Sequence, residues 1–460
     1  MQDVDYRAQS FWHGSLPGSL DPRPALESEQ SVDVAIVGAG YSGLWTAWYL
    51  SNLDPGLRIA IVEAEIAGFG ASGRNGGWAV GSLAGMEAIY DDPALRGQGL
   101  ALQRALFDSV DEIGRVCASE GIDCHWVKGG NVTVATAPAH REGLLADLEH
   151  ARSLGFGESD YRWLEPEACR ALVQSEANLG GLFMPHCAAL HPARLARGLA
   201  EAVERRGVRL YEASPATALE PGCVVTRSGR LRAATIVRAT EAYTKTLPGY
   251  ERALAPLHSL MFATEPLPEP VWKEIGLPGR ETFGDPRRMV IYGQRTADDR
   301  LAFGARGAYY FGSKIIDRFP SDFAGFQIVQ EIAESLFPVL RGQRISHRWG
   351  GALAVPRNWR PTVSLDRKRG FATIGGYVGE GVAASNLAGR TLAELILERD
   401  SERVGLPLVG TPSPAWEPEP LRWIGITGVR RLGEALDAAD LAGRPKPRLR
   451  SALFKLFVKK

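Results

Sequence analysis

Two short apolar segments near the N-terminus predict neighbouring strands of a buried sheet. Residues 32–37 and 57–62 are almost entirely apolar. A strand that is apolar on both faces is typical of a parallel sheet covered by helices. The segment 42–52 between them predicts a helix, and the turn sequence Asp54-Pro55-Gly56 ends it. The pattern therefore predicts a strand–helix–strand unit.

A second unit of this kind is predicted far along the chain. An apolar strand starting at Phe371 runs into a glycine-rich turn, and a helix with apolar positions Leu387, Leu392 and Leu395 continues to about Glu398. A helix that begins in a glycine turn presents free backbone amides and the positive end of its dipole to whatever lies beyond the strand. We therefore expect the start of this helix to face a ligand as well.

Between the two units, the pattern predicts amphipathic helices and antiparallel hairpins. Helical spacing of apolar residues occurs over 100–120, 142–154, 190–206 and 326–337, and hairpins are predicted over 223–235 and 289–304. The predicted fold class is α/β, with a Rossmann-like nucleotide-binding domain and an α+β second domain built on an antiparallel sheet.

The turn after the first strand carries a nucleotide-binding pattern. Gly38, Gly40 and Gly43 have the G-x-G-x-x-G spacing, and Glu63 ends the second strand 20 residues after Gly43. The glycines permit a tight turn, a close approach to a diphosphate and close helix packing, while the acid accepts hydrogen bonds from ribose hydroxyls. The alternative is an ordinary turn that binds nothing. An acid at position 63 also disfavours the 2′-phosphate of NADP.

A second glycine-rich segment follows at once, from Gly68 to Trp78. Five glycines lie within ten residues, interleaved with Ser72, Arg74 and Asn75. Such a loop cannot bury an apolar face, but its amides and arginine can surround a diphosphate or the polar edge of a heterocycle. The alternative is a flexible surface loop.

Composition narrows the class of protein. The chain has 460 residues, 45% of them hydrophobic, and 53 basic residues balance 53 acidic ones. A zero net charge gives no indication of nucleic-acid binding. The five cysteines are scattered without C-x-x-C spacing, so neither a metal site nor a disulfide framework is predicted. Because no apolar run reaches the roughly 18 to 20 residues of a membrane span and no secretory signal is evident, we expect a soluble, cytoplasmic protein.

The two glycine segments, Glu63 and the C-terminal turn together resemble the D-amino-acid-oxidase (DAO) superfamily of flavoenzymes. Within it they most resemble the γ-glutamylputrescine oxidase branch. The resemblance rests on residues 70–77 (Gly-Ala-Ser-Gly-Arg-Asn-Gly-Gly), 239–244 and 376–382 (Gly-Tyr-Val-Gly-Glu-Gly-Val). It extends in patches from about residue 30 to 400. It implies a glutathione-reductase-type FAD-binding domain.

The resemblance also implies which residues contact FAD. The first unit would hold the ADP half, and the later segments would lie along the flavin ring. The implied FAD-binding residues are Gly38, Gly40, Tyr41, Ser42, Gly43, Glu63, Ala64, Gly70, Ala71, Ser72, Arg74, Asn75, Gly76, Gly77, Trp78, Thr240, Gly376, Gly379, Glu380, Gly381 and Val382. On the second domain, the candidates for facing a substrate are His258, Tyr292, Arg306 and Tyr309.

The chemistry that the resemblance implies is oxidation of a C–N bond of an amine or amino acid. Hydride transfer to flavin N5 would give an imine that hydrolyses, with O2 as the electron acceptor. One alternative is a flavin dehydrogenase of another substrate that passes electrons to a quinone or carrier protein. Another is a nucleotide-binding protein without catalysis. The partners expected are a small-molecule amine and an electron acceptor, and no oligomeric state is predicted.

Three departures from the family pattern refine these expectations. No cysteine occurs in 350–366 and no histidine in 68–78, the places where relatives attach FAD covalently, so noncovalent FAD is expected. Ala383 stands where sarcosine-oxidase relatives have a substrate-binding lysine, which disfavours a simple N-methyl amino acid as substrate. Ala302 stands near the place of an oxygen-activating lysine, which leaves oxidase and dehydrogenase open.

The predicted domains are discontinuous. Residues 1–31 form an N-terminal arm; 32–84, 176–247 and 346–400 form the FAD-binding domain; 85–175 and 248–345 form the substrate domain; and 401–460 form a C-terminal extension. Residues 441–460 contain seven basic residues and no acidic one. This tail is expected to dock on its own protein or a subunit, with weak contact to an anionic membrane surface as the alternative.

Overall fold

The computed structural model describes residues 4–410, 413–444 and Phe454. The described residues include eighteen strands: β1 (Glu29–Val37), β2 (Ile59–Val62), β3 (Trp78–Val80), β4 (Asn131–Val134), β5 (Arg162–Leu164), β6 (Gly181–Met184), β7 (Cys187–Ala189), β8 (Arg209–Tyr211), β9 (Ala216–Glu220), β10 (Cys223–Thr226), β11 (Arg230–Arg238), β12 (Ala255–Thr264), β13 (Thr282–Gly284), β14 (Ile291–Arg295), β15 (Leu301–Tyr309), β16 (Ile345–Val355), β17 (Thr362–Asp366) and β18 (Phe371–Gly375).

The same residues include eleven α-helices: α1 (Phe11–Gly14), α2 (Tyr41–Leu53), α3 (Glu87–Tyr90), α4 (Arg96–Glu120), α5 (Pro138–Ser153), α6 (Pro166–Leu172), α7 (Pro192–Arg205), α8 (Glu269–Ile275), α9 (Ala324–Leu336), α10 (Gly381–Ile396) and α11 (Leu421–Leu441). Short 3-10 helices occur at Tyr6–Gln9, Ala71–Gly73, Glu241–Thr246, Phe311–Ser313, Pro338–Leu340 and Glu402–Gly405.

The first sheet has the strand order β17-β18-β11-β1-β2-β8, and the hairpin β9–β10 joins it through β11. Strands β18, β11, β1, β2 and β8 run parallel. Helices α2, α4, α7 and α10 contribute to the largest apolar core, which covers one face of this sheet. Helix α2 is buried from Tyr41 to Ser51 because α10 packs against it as well. The predicted Rossmann-like arrangement is confirmed.

The second sheet has the order β16-β12-β15-β14-β13-β4-β6-β5 and is antiparallel except for the β13–β4 pair. Helices α8 and α9 pack on it around aromatic side chains such as Phe283, Phe303 and Phe326. The predicted α+β second domain built on an antiparallel sheet is therefore present.

The sheet pairing moves two of the expected boundaries. Strand β6 lies in segment 176–247 and most of β16 in segment 346–400, both assigned above to the FAD-binding domain. Both strands instead hydrogen-bond within the second sheet. The apolar residues of β6 and β16 could pack in either sheet. The hydrogen-bond partners of the two strands therefore decide to which domain they belong.

Both ends of the chain pack against the two domains. In the N-terminal arm, Trp12 is 1% exposed and its Nε1 donates to the carbonyl oxygen of Asn75. In the C-terminal extension, α11 is tied to the second domain by Arg288, whose Nη1 pairs with Asp437 and Asp440. Most of the basic tail lies outside the described residues. Within the described ranges, no helix combines the length and apolar character needed to cross a membrane.

Candidate functional site

A single cavity of about 770 Å³ connects the two glycine turns that the sequence singles out. Its wall includes Gly38 and Gly40 from the first unit and Gly379 and Gly381 from the second. Although these turns are more than 330 residues apart in the chain, they face the same space. The predicted convergence of the two units is confirmed.

Two positions of the first glycine turn leave no room for a side chain. Gly38 has φ +106°, and a Cβ there would lie 2.6 Å from the carbonyl oxygen of Ala239. A Cβ on Gly43 would lie 2.0 Å from the carbonyl oxygen of Gly38, so this glycine lets α2 press onto β1. Gly40 caps α2 without a side-chain hydrogen bond. Gly40, Tyr41 and Ser42 at the start of α2 line the cavity, and the amide of Tyr41 donates to the hydroxyl of Ser72 over 2.9 Å.

Glu63 stands where β2 ends and also lines the cavity. Its Oε2 accepts a hydrogen bond of 2.7 Å from the amide of Ala39, and its Oε1 one of 3.1 Å from Glu65. Burial raises the pKa of Glu63 to about 7 in spite of these two amide bonds. The carboxyl group is therefore fixed at the cavity wall, where it can accept hydrogen bonds from a ribose.

The loop from Gly68 to Trp78 is ordered by its own polar groups. Asn75 donates to the carbonyl oxygens of Ala71 and Ser72 and accepts from the amide of Gly77. The Arg74 side chain is buried, and its Nε and Nη1 donate to the carbonyl oxygens of Phe69 and Asp317. The Nη2 atom of Arg74 is buried without a hydrogen-bond partner among the described residues. Arg74 is among the residues that line the cavity.

The C-terminal glycine turn is held by an acid that sequence reasoning missed. Oε1 of Glu241 accepts a hydrogen bond of 2.7 Å from the amide of Gly376, and burial raises the pKa of Glu241 to about 7. Gly375, Gly376 and Gly379 all have positive φ. The only sequence signal for Glu241 was its place beside the Ala239-Thr240 strand end.

The second sheet closes the other part of the cavity. Tyr292 on β14 and Arg306 on β15 both line it, as does Ser259 on β12. The Tyr292 ring lies against Gly76, where a Cβ would approach within 2.6 Å. Nη2 of Arg306 donates to the carbonyl oxygen of Val378 over 3.2 Å, which brings this cation to the C-terminal glycine turn.

His258 and Tyr309, two of the residues expected to face a substrate, have partners away from the cavity. His258 is fully buried, and its Nε2 accepts a hydrogen bond from the amide of Ile316. The Tyr309 hydroxyl bonds with Ser313 and Glu419. Neither residue lines the cavity. Side chains alternate along a strand, so the cavity-facing Ser259 and Arg306 place His258 and Tyr309 on the opposite face.

Three predicted FAD-binding glycines are not part of the cavity wall and have other contacts. Gly43 lets α2 approach β1, Gly77 makes room for the amide of Gln294, and Gly376 bonds to Glu241. The cavity wall does contain the others: Gly38, Gly40, Tyr41, Ser42, Glu63, Ala64, Gly70, Ala71, Ser72, Arg74, Asn75, Gly76, Trp78, Thr240, Gly379, Glu380, Gly381 and Val382. In the part of the chain that is described, no cluster of side chains could hold a metal ion.

A family model described as FAD dependent oxidoreductase (DAO) matches residues 33–395, which include both glycine turns. The chain belongs to the DAO family. It is an FAD-dependent oxidoreductase with the family's mixed α/β fold.

Three similar proteins align with 81–86% of this chain. The gamma-glutamylputrescine oxidoreductase of Escherichia coli (strain K12) is 30% identical over 402 residues, which is 86% of this chain and 90% of that protein. The glycine oxidase structure from Geobacillus kaustophilus has a TM-score of 0.67 at 21% identity and covers 81% of this chain and 96% of its own. The L-proline dehydrogenase structure from P. horikoshii also has a TM-score of 0.67, at 16% identity, covering 83% and 96%.

Proposed function

We propose that this DAO-family protein oxidises a C–N bond of an amine or amino acid and uses O2 as the electron acceptor. A primary amine R–CH2–NH2 would react with O2 and H2O to give the aldehyde R–CHO, NH3 and H2O2. The observation that carries the proposal is the single cavity that joins both glycine turns to a region lined by Tyr292 and Arg306. FAD bound there supplies the two-electron oxidation, while the protein supplies binding, orientation and exclusion of water.

The residues of the wall fit FAD. Glu63 would accept hydrogen bonds from the adenosine ribose, and the amides at the start of α2 would bind the diphosphate. The unpartnered Nη2 of Arg74 supplies a further donor in the glycine-rich loop. Amides at the start of α10 would stabilise negative charge on the pyrimidine side of the reduced ring.

Arg306 supports a substrate that carries an anionic group besides its amine. Its guanidinium lines the cavity near Glu380 and, among the described residues, donates to the carbonyl oxygen of Val378. Its other N–H groups are the donors proposed for a substrate carboxylate. Trp78 lies edge-on to Tyr292 with 6.0 Å between the ring centres, which gives this end an apolar side as well. The name of the Escherichia coli relative points to an amine of this kind, because a γ-glutamyl group carries a carboxylate.

We propose that FAD is held without a covalent bond. The described wall of the cavity contains neither cysteine nor histidine. Acid precipitation of the purified protein should therefore release all of the yellow chromophore into the supernatant, and chromophore retained in the pellet would contradict noncovalent binding.

Anaerobic addition of candidate amines to the holoenzyme tests the proposed activity. A γ-glutamylated diamine, the free diamine, sarcosine and glycine form a suitable panel. At least one should bleach the oxidised flavin band, and the γ-glutamylated amine should do so at lower concentration than the free diamine. If no amine or amino acid in a wider panel reduces the flavin but hydroxy acids do, the proposal is wrong.

The electron acceptor is tested under air with the same substrate. An oxidase releases one H2O2 per amine consumed. Turnover with an artificial acceptor but without H2O2 would favour the dehydrogenase alternative.

A further inference from the structure

A second cavity, of about 160 Å³, lies beside the glycine-rich loop and shares no lining residue with the flavin cavity. We call it the arm cavity. Its lining combines the N-terminal arm, the start of α7 and the tip of the β14–β15 hairpin: Phe11, Trp12, Ser15, His125, Leu190, His191, Arg194, Arg280, Gln294, Thr296, Ala297 and Asp298. At about 30 Å³ per water, it has room for roughly five water-sized groups.

The arm cavity carries positive charge that is incompletely compensated. Arg280 donates from Nε and Nη1 to the carbonyl oxygens of Arg295 and His125, at 3.0 and 2.9 Å, and forms no ion pair with the described residues. Burial and Arg295 lower the pKa of Arg280, and the nearby carboxylates of Asp298 and Asp299 offset this in part. Partial burial of a guanidinium that has only backbone partners costs free energy. An anion that pairs with Arg280 would therefore stabilise the folded protein.

Arg194 adds a second guanidinium. Its Nη1 lies 3.5 Å from an oxygen of the exposed Asp123, while its Nε is buried without a hydrogen-bond partner in the described part of the chain. The carboxylate in the lining, Asp298, is already engaged by Arg300 and Thr296. The charge of the lining therefore favours an anionic ligand.

Gln294 indicates what else the ligand must carry. It is fully buried, and its Nε2 donates to the carbonyl oxygens of Gly76, Gly77 and Leu190, which fixes the orientation of the amide. Its Oε1 is buried and has no hydrogen-bond partner among the described residues. An unpaired buried acceptor is unfavourable, so the ligand should bring a hydrogen-bond donor to it.

We propose that the arm cavity binds a small carboxylate with a hydrogen-bond donor beside the carboxyl group, that is, an α-hydroxy acid or an α-amino acid. The carboxylate would pair with Arg280 and Arg194, and the hydroxyl or ammonium group would donate to Oε1 of Gln294. The walls formed by Phe11, Trp12 and Leu190 limit the side chain to a small one.

Such a ligand would act next to the flavin loop without entering the flavin cavity. Gln294 binds the carbonyl oxygens of Gly76 and Gly77, and Trp12 binds that of Asn75. Occupation of the arm cavity would thus fix the arm and the loop together. This assigns the N-terminal arm a ligand-binding function that the proposed amine oxidation does not require.

Calorimetric titration of the FAD-loaded, full-length protein tests the site. Glycolate and propionate are matched probes because a methyl group replaces the hydroxyl, and glycine tests an ammonium donor. Glycolate or glycine should bind, and propionate should bind about tenfold more weakly than the better of the two, because it leaves Gln294 unpaired. Whichever of the first two binds more tightly identifies the donor.

Variants locate the binding. Arg280→Met should weaken binding by about tenfold or more, and Arg194→Gln provides a second variant if the first folds poorly. Arg209→Met, at an exposed arginine of the first sheet, is the control and should bind normally. Amine oxidation should remain in all three variants. The proposal is overturned if neither glycolate nor glycine binds, if Arg280→Met and Arg194→Gln bind normally, or if the amine substrate competes with the probe.

Discussion

The hydroxyl of Ser42 lies 2.9 Å from the hydroxyl of Tyr377, and both side chains are buried. Ser42 is in the first turn of α2, and Tyr377 is in the glycine turn that leads into α10. The hydrogen bond therefore fixes the starts of the two helices whose amides face the flavin cavity. It links the N-terminal and C-terminal parts of the site directly.

A double-mutant cycle should detect this link. Ser42→Ala and Tyr377→Phe are each expected to lower the free energy of unfolding of the apoprotein by about 1 kcal/mol or more, because each leaves a buried hydroxyl without its partner. The double variant should cost about 1 kcal/mol less than the sum of the two. Urea unfolding measures all four proteins, and strictly additive effects would show that the two hydroxyls are not coupled.

Replacement of Glu63 should weaken FAD binding. Glu63→Arg removes the acceptor for ribose hydroxyls. It also places a cation beside the amides of Ala39 and Glu65, which donate to Glu63 in the parent protein. We expect the dissociation constant for FAD to rise at least tenfold, which corresponds to about 1.4 kcal/mol. Fluorescence titration of the apoprotein with FAD measures it. Glu27→Arg, at an exposed position of the arm, is the matched control, and equal FAD affinity in both variants would remove the ribose assignment.

Glu241 should make the stability of the apoprotein fall as the pH rises. Its pKa is raised by burial from 4.5 to about 7 in the folded state. The folded protein therefore holds a proton that the unfolded chain has released between these values, and stability decreases with rising pH across that window. Across the whole window the loss is of the order of 3 kcal/mol for this residue.

Glu241→Gln should remove this part of the pH dependence, because a glutamine keeps an acceptor for Gly376 and has no proton to lose. Thermal or urea unfolding from pH 4.5 to 8 measures the difference between variant and parent. Glu27→Gln serves as the control. An unchanged pH profile in Glu241→Gln would contradict the assigned proton.

The contact between α2 and α10 depends on Gly389. A Cβ there would lie 2.7 Å from Cβ of Trp45 and 2.9 Å from the backbone nitrogen of Thr46. We expect Gly389→Ala to destabilise the protein by about 1–3 kcal/mol, because the backbone on one side cannot yield easily.

Gly428 provides the matched control for this change. It also lies inside a helix, α11, but no atom of the described residues lies within 4 Å of its Cβ position. Gly428→Ala should be neutral or stabilise by up to about 1 kcal/mol through helix propensity. If both variants unfold at the same denaturant concentration, helix packing does not explain Gly389.

The sequence predicted those parts of the site that depend on short-range pattern. The strand, the glycine turn, the helix and Glu63 occupy a single unit of about thirty residues, and their spacing specifies their geometry. The two glycine turns could be assigned to one ligand because both match segments that contact the same FAD in the family that the sequence resembles.

Other parts depend on contacts that no local pattern encodes. Which face of β12 points into the cavity is decided by how the second sheet packs on the first. Ser259, which lines the cavity, was therefore missed, while His258 does not line it. Glu241 matters because a chain segment 135 residues later places Gly376 against it. Likewise, Trp12 is buried because the N-terminal arm packs against the loop that contains Asn75.

A crystal structure of the purified, FAD-containing protein would test the central claim most directly. The account predicts FAD density in one cavity, with the adenosine ribose at Glu63, the diphosphate at the start of α2, and the ring between Tyr292 and the turn that contains Gly379. FAD bound elsewhere, or a structure in which Gly40 and Gly379 face separate spaces, would contradict the account.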